Sequence, residues 1–386
     1  MQSEKETYSK YFISLVKDPA TEVRMAQLFL RNIERFIIET VSRELPTIVV
    51  NSIIPDTFNT KYSLMIAIMT NLVNNPNFDE FMQYIDDSSS YALDWLTKYI
   101  NKKIFAKNGQ ENEYTRFAET SITRICMKIK TILKSLVIKT SDDKKARMSE
   151  WCTIFEENLN KDNTVTKGTF HTDIGDECVD VFHFKELTLN EFENVEQKVK
   201  NSFKSEVAEN VKWTDSPYQK VFNWLWGCTA KCPFCNEICQ KRDKHKRETH
   251  SCIQHRPPGV FGIRQTQTQM MAWMSCNCLV SSDNYFRCNA IDTKQRCKNS
   301  GKDGLNCLHK YRKYTEVIDN WIIEPSSFDE LPKYWIWFIS QFEKELCKTY
   351  GYKAFENKMD EWKKITADDA IKSLTINMIK NEDSPK

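Results

Sequence analysis

The sequence predicts a mainly α-helical fold, with an N-terminal helical bundle or stalk, a central loop-rich module with little β-structure, and C-terminal helices. In the N-terminal part, apolar residues recur every three or four positions, as they do in helices that bury one face. Ten of the fourteen cysteines lie between Cys228 and Cys307, so the centre has a different composition. After the centre the helical pattern returns in the aromatic run that begins at Tyr334. These observations fix the predicted order of the three regions.

The predicted N-terminal helices are bounded by proline. The first starts at Asp18-Pro19, an N-cap residue followed by proline at the first helical position, and is expected to end at Pro46. The second ends before Asn75-Pro76, because proline disfavours helical backbone in the residue that precedes it. Further helical stripes lie in residues 78–85, 92–99, 122–136 and 192–203, and a short strand is predicted at 179–184.

Composition changes at two points and predicts three parts. Residues 1–215 form the helical bundle or stalk, and residues 216–312 form the module rich in cysteine and histidine. Residues 313–386 form an aromatic-rich helical segment that packs on the module. In this last part, Thr366 and Asp369 have the spacing of a capping box, which predicts the start of a final helix.

Charge and hydropathy exclude several classes of protein. The 55 Lys and Arg residues nearly balance the 53 Asp and Glu residues, so the chain has no net field to attract nucleic acid or an anionic membrane. The N-terminus lacks the apolar core of a secretory signal, and the longest aromatic run is too short to span a bilayer. We therefore expect an intracellular protein, cytoplasmic or nuclear, without a membrane span.

The central cysteines predict a metal site. Disulfide frameworks are typical of short secreted chains, whereas clustered Cys and His residues in a reducing compartment favour zinc. The C-x2-C spacing supplies two thiolates from one tight turn, and a pair of histidines follows at a suitable distance. Four of the following five residues are predicted to hold one zinc ion: Cys232, Cys235, Cys239, His250 and His255. His245 and Cys252 remain alternative ligands, and the many donors favour a closed structural shell over a catalytic one.

A second zinc site is a weaker prediction from the sequence. Its candidate ligands are Cys276, Cys288, Cys307 and His309. Their gaps are wide and irregular, and unpaired thiols are also common as small core residues. Both interpretations remain open at this point.

Other functions are possible for such a module. The basic loop (residues 241–247) could contact phosphate groups, which makes a zinc-dependent nucleic-acid-binding protein the main alternative. A ubiquitin ligase of the RING type is a further alternative, although the close C-x-H-x2-C element of such domains is absent. The chain contains neither GxxxxGK[ST] nor GxGxxG, so we predict no nucleotide site and no enzymatic activity.

Several motifs in one order resemble a known family. The run W-x-W-G-C-x3-C-P-F-C-x3-C begins at Trp224, and H-x4-H-R-P-x-G follows from His250. Further blocks, DNWIIEP and YWIWFISQF, follow from Asp319 and Tyr334. Together they resemble the C-terminal region of the interferon-inducible very large GTPases. The resemblance covers the second half of the chain best, and the helical first half is similar to the segment that precedes this region.

The resemblance implies a function without GTP hydrolysis in this chain. In those proteins the nucleotide site lies in a domain upstream of the matching region, so no GTP-binding residue carries over. The five residues of the first predicted zinc site do carry over as metal ligands. We therefore expect a non-catalytic, zinc-stabilised module that binds protein partners or self-assembles, either as a fragment of a larger protein or as the product of a related gene.

Overall fold

The protein is described from a computed structural model of the 386-residue chain. The structure describes residues 19–54, 58–108, 111–137, 145–160, 165, 167–172, 174, 177–205, 208–241, 250–265, 268–287, 307–318, 320–327, 332–353 and 359–382.

The architecture is mainly helical, which confirms the predicted fold class. The first seven helices are α1 (Pro19–Ile53), α2 (Lys61–Asn74), α3 (Phe78–Asp86), α4 (Ser88–Phe105), α5 (Glu113–Ser135), α6 (Met148–Leu159) and α7 (Val181–Ser202). The others are α8 (Pro217–Trp226), α9 (Cys276–Val280), α10 (Lys333–Gln341), α11 (Glu343–Tyr350), α12 (Met359–Trp362) and α13 (Ala367–Glu382).

The described strands are short and pair only locally. They are β1 (Lys107–Asn108), β2 (Glu111–Asn112), β3 (Lys145–Arg147), β4 (Cys178–Asp180), β5 (Tyr285–Arg287) and β6 (Leu308–Lys310). Each forms a two-stranded antiparallel sheet with one partner: β1 with β2, β3 with β4, and β5 with β6. Such small sheets cannot supply a core of their own, so the helices and loops must do so.

The chain divides into two compact units, each built from two stretches of sequence. The first unit combines residues up to Asn51 with Asn101–Pro217. The second unit combines Ser52–Ile100 with the residues from Tyr218 onward. The candidate site lies entirely in the second unit.

Aromatic side chains form the core of the first unit. Phe29 on α1 contacts Trp151 and Phe155 on α6, with ring centroids 5.0 and 5.1 Å apart. Phe184 on α7 packs against Trp151, with a centroid distance of 5.0 Å. All four rings are almost completely buried, and edge-to-face pairs of this kind add to the stabilisation from burial alone.

Helix α1 continues through Pro46, so the predicted end at this residue is wrong. Proline has no N–H group to donate to the carbonyl of Ser42, four residues earlier. The hydroxyl of Thr214 donates to that carbonyl at 2.9 Å instead. A tertiary hydrogen bond thus replaces the missing helical one. The buried apolar stripe continues beyond the proline with Val49.

The predicted strand at residues 179–184 is only partly correct. Strand β4 ends at Asp180, and α7 begins at the next residue. The Asp180 carboxylate accepts hydrogen bonds from the backbone N–H groups of Phe182 and His183, at 2.9 and 3.2 Å. This is an N-cap, and it stops the strand.

In the second unit, helices far apart in sequence pack together. Helix α10 packs on α13, and α13 packs on α2. The Tyr334 hydroxyl donates to the carbonyl of Met69 at 3.1 Å, and the Tyr62 hydroxyl donates to the carbonyl of Leu374 at 2.6 Å. These bonds connect the aromatic C-terminal segment to the earlier helices of the same unit.

The predicted capping box before α13 is confirmed. The Thr366 hydroxyl accepts from the Asp369 N–H at 3.1 Å, and the Asp369 carboxylate accepts from the Thr366 N–H at 3.1 Å.

Within the described part of the chain, no helix has both the length and the apolar character needed to cross a membrane.

Candidate metal centre

A tight hairpin presents the C-x2-C pair. Lys231 and Ile238 face each other across an antiparallel bridge, and the Cys232 N–H donates to the carbonyl of Glu237 at 2.8 Å. The Asn236 N–H in turn donates to the carbonyl of Cys232 at 2.9 Å. Asn236 has a φ of 55°, a left-handed conformation that asparagine tolerates better than most residues. The turn therefore brings the Cys232 and Cys235 side chains to the same side.

Two more side chains complete a four-residue cluster. His255 and Cys276 lie with Cys232 and Cys235 so that one ligand atom from each falls within 4.8 Å of all the others. The Cys235 Sγ is 3.3 Å from the His255 Nδ1, and the Cys232 Sγ is 4.0 Å from the Cys276 Sγ. Cys276 is the first residue of α9, which has no side-chain N-cap. The cluster thus joins three separate segments of the chain.

The spacing of these atoms suits a tetrahedral ion. A Zn–S bond of about 2.3 Å and a Zn–N bond of about 2.0 Å place tetrahedral ligand atoms roughly 3.5 to 3.8 Å apart. The two measured distances, 3.3 and 4.0 Å, lie on either side of that interval. All four residues are buried, with exposed fractions between 0 and 4%. The cluster could therefore hold a metal ion in a closed shell.

The electrostatics of the cluster favour a cation. Burial raises the pKa of the Cys235 thiol, but hydrogen bonds from Cys232, Cys252 and Cys276 and the charge of His255 bring it well below its ordinary value. Burial lowers the pKa of His255, but charge on Cys232 and Cys235 raises it well above its ordinary value. The shift of Cys235 favours its thiolate, and the shift of His255 reflects negative charge on the neighbouring sulfur atoms, which a divalent cation would also neutralise.

Cys252 contacts this cluster without belonging to the mutually close set. Its Sγ is 3.3 Å from the His255 Nδ1. Burial, followed by the hydrogen bond and charge at Cys235, keeps the pKa of Cys252 well above its ordinary value. Burial and the same cysteine neighbours also raise the pKa of Cys276, so Cys252 differs from the four residues by its position outside the mutually close set and not by its pKa.

Hydrogen bonds from Arg256 connect the hairpin to helix α3. Its side chain is only 1% exposed, and it donates to three backbone carbonyls. Nε donates to Cys235 at 2.8 Å, Nη2 to Asn236 at 2.6 Å, and Nη1 to Ile85 near the end of α3 at 3.1 Å. Five donors in a rigid plane suit this task, and lysine could not replace them. Arg256 thereby ties the ligand-bearing turn to a helix.

The charge of Arg256 has a buried partner. The Glu237 carboxylate lies 3.5 Å from the Arg256 Nε, and both side chains are at most 3% exposed. Burial raises the pKa of Glu237, and the arginine charge opposes that shift. A buried ion pair is costly to form but more costly to break, so neither residue is easily replaced alone.

The apolar surroundings of the cluster come from later in the chain. Phe234, at the tip of the hairpin, packs against Phe286 and Tyr311, with centroid distances of 5.0 and 4.9 Å. Tyr314 and Trp321 belong to the same buried group. These side chains exclude water from one side of the cluster.

The structure divides the five residues of the first predicted zinc site between two places. Cys232, Cys235 and His255 lie together with Cys276, which the sequence placed in the second predicted site. Cys239 and His250 lie in another group with Cys228.

The remaining predicted residues lie elsewhere. Cys307 and His309 are described but belong to neither group, and Cys288 and His245 lie outside the described residues. Of the basic loop, only Lys241 is described.

The sequence alone predicts no functional role for Cys228, Arg256 or Glu237. A signal existed for two of them, because Cys228 ends the W-x-W-G-C motif and Arg256 lies in H-R-P-x-G. Gly259 belongs to the same motif as Arg256. A Cβ atom at this position would lie 1.9 Å from the Met271 Cγ, so no larger residue fits there unless Met271 moves. Glu237 gave no signal, because an acidic residue in a polar loop is usually exposed.

Comparison with known proteins places the centre in a family context. Residues 228–374 match the family described as the C-terminal domain of interferon-induced very large GTPase 1. Interferon-induced very large GTPase 1 of Homo sapiens is 28% identical over 314 residues, which are 80% of this chain and 12% of that protein. The protein of the same name from Mus musculus is 23% identical over 83% of this chain and 12% of its own length.

The chain thus spans about an eighth of the length of these curated relatives. No solved structure matches it. The family match contains both Cys/His groups, the Arg256 clamp, and helices α9 to α12. The comparisons confirm the resemblance inferred from the sequence: residues 228–374 match the C-terminal domain of the very large GTPases, and the similarity to the two relatives extends over about 80% of the chain.

Proposed function

We propose that this protein is a non-catalytic, zinc-stabilised scaffold that binds protein partners or self-assembles. The observation that carries the proposal is the buried cluster of Cys232, Cys235, His255 and Cys276. Three thiolates and one imidazole are a ligand set typical of structural zinc, which prefers soft and borderline donors in a tetrahedron.

A structural role is favoured over a catalytic one by the number and burial of the ligands. Catalytic zinc keeps three protein ligands and leaves a fourth position for water or substrate. Here four protein ligands converge, and all are buried. An ion held by all four has neither a free position nor solvent access, so the site suits stabilisation of the fold.

The ion would connect segments that are distant in sequence. It would join the hairpin, the loop at His255 and the start of α9, and Arg256 would extend this connection to α3. Large apolar side chains in the same unit remain exposed, including Trp224 at 41% and Ile322 at 48%. We propose that this unit, when held by the ion, presents such side chains to protein partners.

Metal analysis of the purified chain tests the zinc proposal. Cys235→Ser should lose one equivalent of zinc relative to the wild type and become sensitive to protease between residues 228 and 280. Cys347→Ser is the matched control, because Cys347 is a half-buried thiol outside both groups. Equal zinc content and equal protease resistance in Cys235→Ser and the control would contradict the proposal.

Affinity capture tests the interaction role. Proteins captured by the wild type should be lost with Cys235→Ser and reduced with the double substitution Trp224→Ser and Ile322→Ser. Light scattering on the same variants reports self-assembly. Identical captured sets and identical molar masses for all variants would contradict a scaffold role, even if zinc is bound.

A further inference from the structure

A second group of metal-binding side chains lies at the open end of the same hairpin. Cys228, Cys239 and His250 each offer one ligand atom, and these three atoms lie within 4.8 Å of one another. The Cys228 Sγ is 3.5 Å from the His250 Nδ1. None of the three belongs to the four-residue cluster at the turn.

The backbone places the two cysteines opposite each other. Gly227 has a φ of 58°, which turns the chain from α8 into the hairpin. The Cys228 N–H then donates to the carbonyl of Lys241 at 3.3 Å, and the Cys239 N–H donates to the carbonyl of Ala230 at 2.8 Å. These bonds continue the hairpin ladder and bring the thiols to one side of it.

Residues 320–322, a separate segment of the chain, hold the backbone of His250 through two hydrogen bonds. Its N–H donates to the carbonyl of Asn320 at 2.8 Å, and its carbonyl accepts from the Ile322 N–H at 2.8 Å. The Trp321 ring packs on the imidazole, with centroids 5.4 Å apart. The ring is therefore aimed at the two thiols by contacts that are independent of any metal.

A lysine side chain and a backbone N–H donate to the two cysteines. The buried ammonium of Lys61 donates to the carbonyl of Cys228 at 2.6 Å. The Lys241 N–H donates to the Cys239 Sγ at 3.4 Å. Outer contacts of this kind fix the positions of metal ligands.

We infer that Cys228, Cys239 and His250 bind a second zinc ion, distinct from the ion proposed at the turn. Two thiolates and an imidazole favour zinc over calcium or magnesium, which prefer oxygen ligands. Cys228 and His250 are only half-buried, whereas every ligand of the first cluster is buried. The second ion should therefore be exposed to solvent and exchange faster than the first.

Elemental analysis of the full chain tests this inference. The wild type should contain two zinc equivalents, and Cys228→Ser and His250→Phe should each contain one. His250→Phe retains a ring that can pack on Trp321, so it removes a ligand with little loss of packing. Cys347→Ser should keep both equivalents, and Cys235→Ser should lose the first ion, which separates the two proposals.

The rate of release provides a second test on the unaltered protein. A chelator should remove zinc from the wild type in two phases of equal amplitude, with the faster phase absent in Cys228→Ser. The inference would be overturned by a single equivalent of zinc in the wild type. It would also be overturned by a disulfide between Cys228 and Cys239 in protein purified under reducing conditions. If the variants fail to fold, the wild-type stoichiometry alone decides between one ion and two.

Discussion

The aromatic core of the first unit and the Cys/His hairpin of the second unit are built from different side chains. The first unit packs Phe29, Trp151, Phe155 and Phe184 into a dry aromatic core on three helices. The hairpin of the second unit contains few apolar residues, and it buries thiol and imidazole groups beside Phe234 and Ile238. Aromatic packing is spread over many contacts, whereas metal coordination concentrates the stabilisation in four atoms. Loss of one atom should therefore have very different effects in the two places.

The largest effect should come from the metal ligands of the first cluster. Structural zinc contributes on the order of 10 kcal/mol in small zinc domains, so Cys235→Ser should destabilise the second unit by more than about 5 kcal/mol. Thermal unfolding of the wild type with and without chelator should reproduce the same loss. A variant that unfolds at the wild-type temperature would show that the cluster does not stabilise the fold.

Trp151→Ala tests the contrasting region. Removal of a fully buried tryptophan side chain should cost about 3 to 5 kcal/mol, through lost burial and the cavity left behind. Zinc content should remain at the wild-type value, because both Cys/His groups found among the described residues lie in the second unit. Loss of zinc from this variant would show that the two regions are not separately stabilised.

Arg256→Ala tests the clamp between the hairpin and α3. The substitution leaves three carbonyls without their donor and Glu237 without its charge partner, which should cost about 3 to 5 kcal/mol. Arg264→Ala is the matched control: that exposed arginine donates to the carbonyl of Tyr350, and its loss should cost less than about 1 kcal/mol. Equal unfolding curves for the two variants would exclude a positioning role for Arg256.

The smallest predicted effect concerns the capping box before α13. Thr366→Ala should cost about 1 kcal/mol, because it removes the oxygen that accepts from the Asp369 N–H. Thr375→Ala, at an exposed position on the same helix, should change stability by less than about 0.5 kcal/mol. Chemical denaturation distinguishes the two if the transition is cooperative.

The sequence was sufficient for features that depend on local spacing. Helical periodicity correctly predicted the fold class, and the spacing of Thr366 and Asp369 correctly predicted the start of α13. The C-x2-C pair gave a pair of thiols on one turn. In each case the residues that decide the structure are within a few positions of one another.

Features set by distant contacts could not be predicted. Helix α1 passes Pro46 because Thr214, far along the chain, bonds the orphaned carbonyl. His250 and His255 look equivalent in sequence, but Trp321 holds the first beside Cys228, and Cys276 meets the second. The apolar environment of the hairpin comes from Phe286, Tyr311 and Tyr314, which lie in later segments. Spacing identified the donors but could not assign them to groups.

Zinc-edge X-ray absorption of Cys228→Ser protein tests the central claim most directly, because this variant should retain only the ion at the turn. We predict a shell of three sulfur atoms at about 2.3 Å and one nitrogen at about 2.0 Å, and loss of this signal on further substitution of Cys235. A shell dominated by oxygen or nitrogen, or protein that folds without zinc, would contradict it.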